Sequence, residues 1–467
     1  MQRIKNTILL VCAVLLAALS LVQAADKTAG FTLPAYQKTT LENNLTLYLM
    51  EQHEVPLIYV VFVTPSGAVK DGEKYGLASL TGDGLLFGTN NYSKKEIENQ
   101  LEFLGVRYGV STSAEDTRFE ISFLKKDFDK VMPIFKEIVR FPTFDEQEFE
   151  KRKVRLLSEL EQAKEHPRRV IGAYFNKFLF GEHPYGNPTD GTLSSVGQIV
   201  VTDLRSFYQQ NYRPSSSAIA AAGDFSSDEI KNQLVQLFGD WQGDEQPVGS
   251  AAQGQARFDR SRVLLVNKEA ATETQFLIGS FGIERKNPDY VAVRLINTVL
   301  GGRFTSWLND ELRVNRGLTY GAYSSFNARK QTGTFYISSF TKTETTVEAI
   351  DVALEVLARL HDSGVSEDVL SSAKNYMKGQ FPPDYETSGD LADFMCDMFI
   401  YDFNESYIND FEKNVDSVTA ESARQIIDKY FPRDNMQLVL IGKASAIKEG
   451  VSKYGELTEK EIDADGF

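Results

Sequence analysis

The chain has 467 residues, of which 42% are hydrophobic and 25% are charged, and its formal net charge is −15. This length exceeds a single core of ordinary size, so two or more domains are expected. The composition is that of an ordinary globular protein, and the acidity argues against nucleic-acid binding, which rewards basic surfaces. An acidic chain is compatible with a basic partner or peptide.

The first 24 residues have the features of a secretory signal peptide. A short positive region with Arg3 and Lys5 precedes an apolar run over residues 8–21, and residues 22–24 (VQA) offer a small-residue cleavage site. The run is short for a membrane span, so no stable span is expected after cleavage; an uncleaved N-terminal anchor is the alternative. Cleavage leaves Cys396 as the only cysteine, which excludes an intrachain disulfide. A signal peptide without disulfides favours the bacterial periplasm.

The pattern that follows predicts strands and helices up to about residue 223. Alternating or β-branched runs predict the strands, and apolar residues at helical spacing, with Ser93 as one N-cap, predict the helices. The predicted strands are 36–41, 45–49, 57–63, 107–113, 118–124 and 218–223, and the predicted helices are one near Gly76, 94–104, 128–139, 145–165 and 202–212.

The second half of the chain repeats this outline. The predicted strands are 263–266, 275–279, 320–326, 334–340 and 438–441, and the predicted helices are 290–300, 345–360 and 367–379. Tyr430-Phe431-Pro432 before the last strand echoes Tyr212-Arg213-Pro214 in the first half. A repeat of this length indicates a duplicated domain. The predicted organisation is a first domain at 30–240, a linker rich in Gly and Gln at 241–256, a second domain at 257–450 and a polar tail at 451–467. Each domain is expected to be α+β, an antiparallel-rich sheet with helices on one side.

The stretch from Gly76 to Thr89 reads GLASLTGDGLLFGT. It resembles the zinc-binding helix of the pitrilysin/insulinase-type peptidases, the inverzincins, whose signature is H-x-x-E-H. The flanking residues match, but Ser79 and Asp83 stand at the two histidine positions and Gly82 at that of the glutamate. A catalytic zinc needs three protein ligands and a water, and the family's glutamate is the general base toward that water. The resemblance therefore implies a member whose zinc motif is degenerate.

The resemblance also places Glu159 at the family's third zinc ligand. Without its partners, Glu159 is predicted to be a solvated helix glutamate. A hard-metal site that uses the oxygens of Asp83 and Glu159 is a further alternative. Replacing Ser79, Gly82 and Asp83 by His, Glu and His is expected to restore zinc binding. Removal of a glycine from the helix interior is expected to favour the helix by about 1 kcal/mol.

Two further stretches carry the resemblance. Residues 183–186 (HPYG) match a family loop, where His183 is predicted to pack or hydrogen-bond because no second metal ligand is in view. Residues 311–313 (ELR) and 317–320 (GLTY) resemble a family element whose arginine and tyrosine reach the active site from the domain opposite the zinc. By this resemblance, Arg313 offers a planar fork of donors to substrate, and Tyr320 a phenolic donor to an oxyanion. The alternative is that both are structural.

The resemblance covers residues 30–450 and implies two homologous domains, as in mitochondrial processing peptidase-like metallohydrolases. Some small bacterial enzymes of this family pair a zinc-bearing chain with a chain that lends the arginine and tyrosine. The expected function is thus a zinc-free, non-catalytic subunit of a periplasmic heterodimeric metallopeptidase. Its expected partners are a homologous chain with an intact H-x-x-E-H, which holds the zinc, and a peptide substrate. A peptide-binding or structural scaffold without a peptidase role is the alternative function.

Overall fold

The computed structural model describes residues 31–243 and 258–467. The predicted signal peptide and most of the predicted linker lie outside these residues. None of the helices in the described ranges is long and apolar enough to cross a membrane.

Twelve strands in the described residues form two six-stranded sheets. The first sheet has the order β1-β2-β6-β3-β5-β4 and the second β12-β7-β11-β8-β10-β9. The strands of the first sheet are β1 (Gln37–Thr40), β2 (Thr46–Glu51), β3 (Leu57–Thr64), β4 (Arg107–Thr112), β5 (Thr117–Leu124) and β6 (Ala218–Gly223). Those of the second are β7 (Arg262–Asn267), β8 (Glu273–Phe281), β9 (Ala322–Asn327), β10 (Thr334–Lys342), β11 (Gln437–Gly442) and β12 (Glu456–Glu461).

The two sheets have matching topology, which confirms the predicted duplication. Each sheet has one parallel pair of central strands, β2 with β6 in the first and β7 with β11 in the second. The other central pairs are antiparallel in both sheets. The sheets differ at one edge, where β1 is antiparallel to β2 but β12 is parallel to β7. The segment predicted to be a polar tail therefore contains an edge strand. The charged side chains of β12 suit an edge strand, since they oppose pairing of its free edge with another chain.

Helices connect and cover the strands. In the first half they are α1 (Leu77–Gly84), α2 (Lys94–Phe103), α3 (Phe128–Arg140), α4 (Glu146–Ala163), α5 (Pro167–Phe180), α6 (Leu193–Gln198), α7 (Val201–Asn211) and α8 (Ser227–Phe238). In the second half they are α9 (Tyr290–Asn297), α10 (Trp307–Asn309), α11 (Thr346–Ser363), α12 (Glu367–Gln380), α13 (Ser388–Tyr401), α14 (Ser406–Asn409), α15 (Phe411–Ser417), α16 (Ala420–Tyr430) and α17 (Ala444–Val451). α9 and α10 each continue into a π-helical segment, Thr298–Gly302 and Asp310–Asn315.

Each half covers the free face of the other half's sheet with one helix. α5 of the first half packs on β8 and β11, and α13 of the second half packs on β3 and β6. Alternate residues of β2 accordingly enter different cores, Leu47 and Leu49 on one face and Tyr48 and Met50 on the other. The prediction of helices on one side is correct for each half's own helices, and the exchanged helix adds a layer on the opposite side. Neither α5 nor α13 was predicted.

Charged side chains also join the halves. Arg118 of β5 reaches α13, where its guanidinium donates to Asp397 at 2.6 Å, and it also bonds Asp116 at 3.0 Å. These carboxylates outweigh the opposing effect of burial and raise the pKa of Arg118. Beside this group, Glu115 accepts hydrogen bonds from the Tyr185 hydroxyl and from the Lys330 amide. The halves are therefore joined by a partly buried ion pair as well as by apolar packing.

Candidate functional site

The helix α1, which carries the degenerate motif, begins at a glycine and is capped from a distance. Gly76 has a left-handed φ of 94°, and a Cβ there would lie 3.0 Å from the Asp190 carbonyl oxygen. The Asp71 carboxylate accepts from the Gly76 amide at 2.8 Å and from the Ala78 amide at 2.7 Å. Burial raises the pKa of Asp71 to about 7, against the lowering effect of these two bonds.

Ser79, at the position of the first histidine, faces the loop that follows the HPYG stretch. Its hydroxyl donates to the Asp190 carboxylate at 3.2 Å. The helix that follows this loop, α6, also contacts the start of α1, because the Ser195 hydroxyl donates to the Tyr75 carbonyl at 2.8 Å. The position that would hold a metal ligand is thus part of a hydrogen-bonded contact between helix and loop.

Gly82, at the position of the glutamate, is buried against the first sheet. A Cβ at this position would lie 2.7 Å from Thr112 Oγ1 and 3.1 Å from Val110 Cγ1. Thr112 is held in turn by Thr117, whose hydroxyl is 3.1 Å away. Any side chain at position 82 therefore collides with β4. The expectation that glutamate would be accommodated and would favour the helix is wrong for this packing, since steric overlap exceeds the gain in helix propensity.

Asp83, at the position of the second histidine, pairs with an arginine. Arg152 Nε donates to Asp83 Oδ2 at 2.6 Å, and Arg152 Nη1 donates to Glu159 Oε2 at 3.0 Å. Arg152 and Glu159 lie two turns apart on α4, on the same face of the helix. One guanidinium thus joins the two carboxylates at metal-ligand positions. The side chain of Glu159 is 53% exposed, as predicted for a solvated glutamate, but it is paired.

The electrostatics of this group, which we call the Arg152 bridge (Asp83, Arg152 and Glu159), depend on partial burial. Burial raises the pKa of Asp83, and the cation of Arg152 opposes this rise. Burial alone would lower the pKa of Arg152, but Asp83 and Glu159 raise it overall, so the guanidinium stays charged. A small cleft of about 240 Å³, lined in part by Asp83, Arg152 and Tyr108, lies beside the bridge.

The residues at the four metal-site positions do not fit a zinc ion or a hard metal. Ser79 is a poor ligand, Gly82 has no side chain, and the oxygens of Asp83 and Glu159 face a fixed positive charge. In the described ranges, no group of three or more His, Cys, Asp or Glu side chains could hold a metal ion. The contacts of Arg152 argue against the hard-metal alternative at Asp83 and Glu159, because the cation at this point belongs to the protein itself.

His183 is a structural residue, as predicted. Its Nδ1 accepts from the Tyr185 amide at 3.1 Å, and its ring packs against Phe180 and Tyr185. Burial lowers the pKa of His183, which favours the neutral imidazole needed for this bond.

Arg313 and Tyr320 lie at the surface of the second half, where Arg313 is half-buried and Tyr320 is exposed. Arg313 lies in the π-helical segment Asp310–Asn315, and its guanidinium stacks 4.4 Å from the centre of the Phe304 ring. Tyr320 lies just before β9 and is 85% exposed. The Tyr320 ring stacks on the Phe340 ring. The Phe340 ring also contacts the guanidinium of Arg168, at the start of α5. Nothing in these contacts ties up the Tyr320 hydroxyl or the Arg313 fork.

The structure does not join the two predicted sets of site residues directly. Within the described ranges, no hydrogen bond, ion pair or ring contact links Arg313 or Tyr320 with Ser79, Asp83 or Glu159. The connection is through the chain: α4 carries Glu159, and the next helix begins beside Arg168, which reaches Phe340 under Tyr320. The roles predicted for Arg313 and Tyr320 remain predictions.

Sequence reasoning missed Arg152 and Asp190. A signal for Arg152 was present, since a residue seven positions before Glu159 on a predicted helix lies on the same face. No local pattern could reveal Asp190, because its partner Ser79 is distant in sequence and only the folded position of the loop around Asp190 brings the two together.

Two family models match the chain. The model described as "Insulinase (Peptidase family M16)" matches residues 49–193, and the one described as "Peptidase M16 inactive domain" matches residues 198–377. The first covers the degenerate motif and the Arg152 bridge, and the second covers Arg313 and Tyr320.

Similar proteins include one named as a non-peptidase homologue. The chain is 24% identical over 374 residues to the "Non-peptidase homolog YmxG" of Helicobacter pylori, a match that covers 78% of this chain and 84% of that protein. It is 26% identical over 296 residues to an uncharacterized zinc protease of Mycobacterium leprae, covering 63% and 66% of the two chains. Among solved structures, a peptidase M16 inactive domain from Pseudomonas fluorescens superimposes with a TM-score of 0.82 at 25% identity, covering 87% of this chain and 98% of that one.

Proposed function

Because this chain belongs to the insulinase family of peptidases, M16, and lacks the H-x-x-E-H residues of the family's zinc site, we propose that it is the non-catalytic subunit of a heterodimeric metallopeptidase. In this proposal the zinc and the general base belong to a homologous partner with an intact H-x-x-E-H. This chain contributes substrate binding.

The Arg152 bridge is the observation that carries the proposal. A protein cation joins Asp83 and Glu159, and Gly82 is packed against Thr112 with no room for a base. A chain with these contacts has no means to activate a water by the family's mechanism. Activity therefore requires a second chain.

Arg313 and Tyr320 are the residues proposed to act on the substrate. The Arg313 guanidinium would bind a peptide carbonyl or carboxylate, because its planar fork of donors matches two oxygen lone pairs. The Tyr320 hydroxyl would donate to the oxyanion that develops as the partner's zinc-activated water attacks the scissile carbonyl. The exposure of Tyr320 supports this role, and the Arg313 guanidinium, although half-buried, makes a ring contact that leaves its donors free.

The compartment of this complex is proposed to be the bacterial periplasm. The N-terminal charge, apolar run and small-residue site carry this part of the proposal, as does the single remaining cysteine. Expression of the full chain with a reporter of compartment, followed by mass measurement of the N-terminus, tests both export and cleavage.

A peptide-binding scaffold without a peptidase role is the second candidate. The outer edge of β4 favours it, because β4 is the last strand of its sheet and its free edge can pair with an extended peptide. α1 packs against β4, so this edge lies beside the degenerate motif. A scaffold would bind peptide at this edge without any need for Arg313 or Tyr320.

Co-expression with the zinc-bearing homologue from the same genome separates the two candidates. The subunit proposal predicts a stable pair that hydrolyses peptides, while each chain alone is inactive. Failure of the pair to associate, or full activity of the partner alone, would favour the scaffold.

A further inference from the structure

One cavity in the second half lies away from the sites discussed above. It has a volume of about 610 Å³ and is lined by the end of β8, by residues 331–332, by His361 and by residues 428–435. One wall is apolar, since Phe258 and Phe281 stack there with ring centres 5.1 Å apart.

A buried histidine in this cavity has an unused acceptor. His361 is 5% exposed, and its Nε2 lies 3.3 Å from the Pro432 carbonyl oxygen. A carbonyl only accepts, so Nε2 carries the hydrogen, and in the neutral ring Nδ1 is then a lone-pair acceptor. Within the described residues Nδ1 has no hydrogen-bond partner. Asp428 Oδ1 is 3.7 Å from it, beyond hydrogen-bond length.

The free charges around the cavity are negative. Its two cations are already paired, Lys429 with Asp289 and Arg433 with Asp362, each at 2.9 Å. The carboxylates of Asp428 and Asp434 have no lysine or arginine within 4.0 Å in the part of the chain that the structure describes. An acceptor nitrogen and two carboxylates without a lysine or arginine partner therefore line the same cavity.

Two helix ends add to this field. His361 lies in the last turn of α11, and Asp428 lies in the last turn of α16. The C-terminal end of a helix carries partial negative charge and favours cations. The aromatic wall is also suited to a cation, which is attracted to the face of an aromatic ring.

We propose that this cavity binds an organic cation, a guanidinium or primary ammonium group. The cation donates one hydrogen bond to His361 Nδ1, pairs with Asp428 and Asp434, and rests against the aromatic wall. The site is independent of the proposed subunit role, because it uses neither the Arg152 bridge nor the Arg313 and Tyr320 surface. The cation could belong to a basic side chain of a peptide or to a free diamine, which share this chemistry.

Isothermal titration of the purified chain tests the proposal with three probes. They are a short peptide whose one charged group is an arginine, the same peptide with citrulline in place of the arginine, and 1,4-diaminobutane. We expect the arginine peptide to bind and the citrulline peptide not to bind, since citrulline keeps the shape but loses the charge. Binding of the diamine as well would identify free organic cations as ligands, and binding of the arginine peptide alone would identify peptide side chains.

The carboxylates are tested by the double variant Asp428→Asn with Asp434→Asn. Both side chains are exposed, so folding should be unaffected. Loss of charge-assisted bonds should weaken binding by about tenfold or more. Asp228→Asn with Glu229→Gln, two exposed carboxylates of the first half, is the matched control because it removes the same charge at a distant place.

The imidazole ¹⁵N spectrum tests His361 directly and remains readable because the chain has four histidines. A ligand that donates to Nδ1 should shift the His361 Nδ1 resonance, with the wild-type fold retained. The proposal is overturned if neither the arginine peptide nor the diamine binds, or if the citrulline peptide binds equally. It is also overturned if both double variants weaken binding alike, or if binding leaves the His361 resonance unchanged.

Discussion

The Arg152 bridge differs from the surface that carries Arg313 and Tyr320 in whether its polar groups already have hydrogen-bond partners within the chain. In the bridge, Asp83 and Glu159 both bond to a cation of the same chain, and Gly82 is packed against β4. On the other surface, Arg313 and Tyr320 make ring contacts that leave their donors free. The charged groups of the bridge are thus paired within the chain, while the donors of Arg313 and Tyr320 stay available for another molecule.

This contrast indicates which function has been lost and which remains possible. Loss of metal ligands alone would leave unpaired carboxylates, which repel each other when partly buried. Arg152 removes this repulsion, so the motif helix is stable without a metal. The exposed pair has no comparable compensation, which is expected of residues that meet a partner or a substrate.

The largest expected effect is on the surface that stays open. Tyr320→Phe should lower peptide turnover by the assembled pair by about 10²–10³, because it removes one donor to a developing oxyanion and keeps the ring on Phe340. Steady-state hydrolysis by the co-purified complex measures this, with assembly checked by gel filtration.

Tyr323→Phe is the matched control, since Tyr323 is also exposed and lies three residues away. It should leave turnover unchanged. Equal losses in both variants, or none in either, would reduce Tyr320 to a structural residue and favour the scaffold.

A second effect concerns the degenerate motif in α1. The triple change Ser79→His, Gly82→Glu and Asp83→His should lower the free energy of unfolding by about 1–3 kcal/mol, because a side chain at position 82 overlaps Thr112. It should bind no zinc while Arg152 remains. Chemical denaturation and elemental analysis measure the two outcomes.

Adding Thr112→Gly and Arg152→Gln to the triple variant should recover part of the stability and allow zinc uptake with Glu159. Ser79→His alone serves as the control for the helix surface. Tight zinc binding by the triple variant with Arg152 in place would show that the bridge does not block the metal.

A smaller effect is expected from the bridge itself. Arg152→Gln should lower the free energy of unfolding by about 2 kcal/mol, between the values for exposed and buried ion pairs, because the pair is only partly buried. Adding Asp83→Asn should restore part of the loss, since the unpaired carboxylate is removed. Arg155→Gln, on an exposed side chain of the same helix, is the control. Additive losses in the double variant would contradict direct coupling.

A pH-dependent effect, spread over several pH units, comes from Asp71 at the start of α1. Its pKa is about 7 in the folded chain against an ordinary 3.8, so the folded state holds a proton that the unfolded state releases. Stability should therefore fall as pH rises from about 4 to 7, by at most about 1.4 kcal/mol per unit. Asp71→Asn should flatten this slope in denaturant titrations, whereas Asp145→Asn, at the exposed cap of α4, should not.

Much of the fold could be predicted because it follows local patterns. The duplication, most strands and the helix capped by Ser93 were indicated by periodicity and caps, and the capping box of Ser93 with Glu96 is present. The exchanged helices α5 and α13 were missed because their partners belong to the other half. Likewise β12 is polar and short, and only its pairing with β7 makes it a strand.

The sequence was sufficient to predict where the candidate site lies, but not which contacts its residues make. The motif alignment located Ser79, Gly82, Asp83 and Glu159, yet sequence alone did not say what replaces the metal. That answer depends on the length of the Arg152 side chain and the contact of α4 with α1. The steric limit at Gly82 depends similarly on how closely α1 approaches β4, a distance that no sequence pattern fixes.

The zinc content of the separated and assembled chains tests the central claim most directly. Elemental analysis should find no stoichiometric zinc in this chain alone, one zinc in the homologous chain with H-x-x-E-H, and one per assembled pair, which alone hydrolyses peptide. One tightly held zinc per copy of this chain, or an active pair that carries two, would contradict the account.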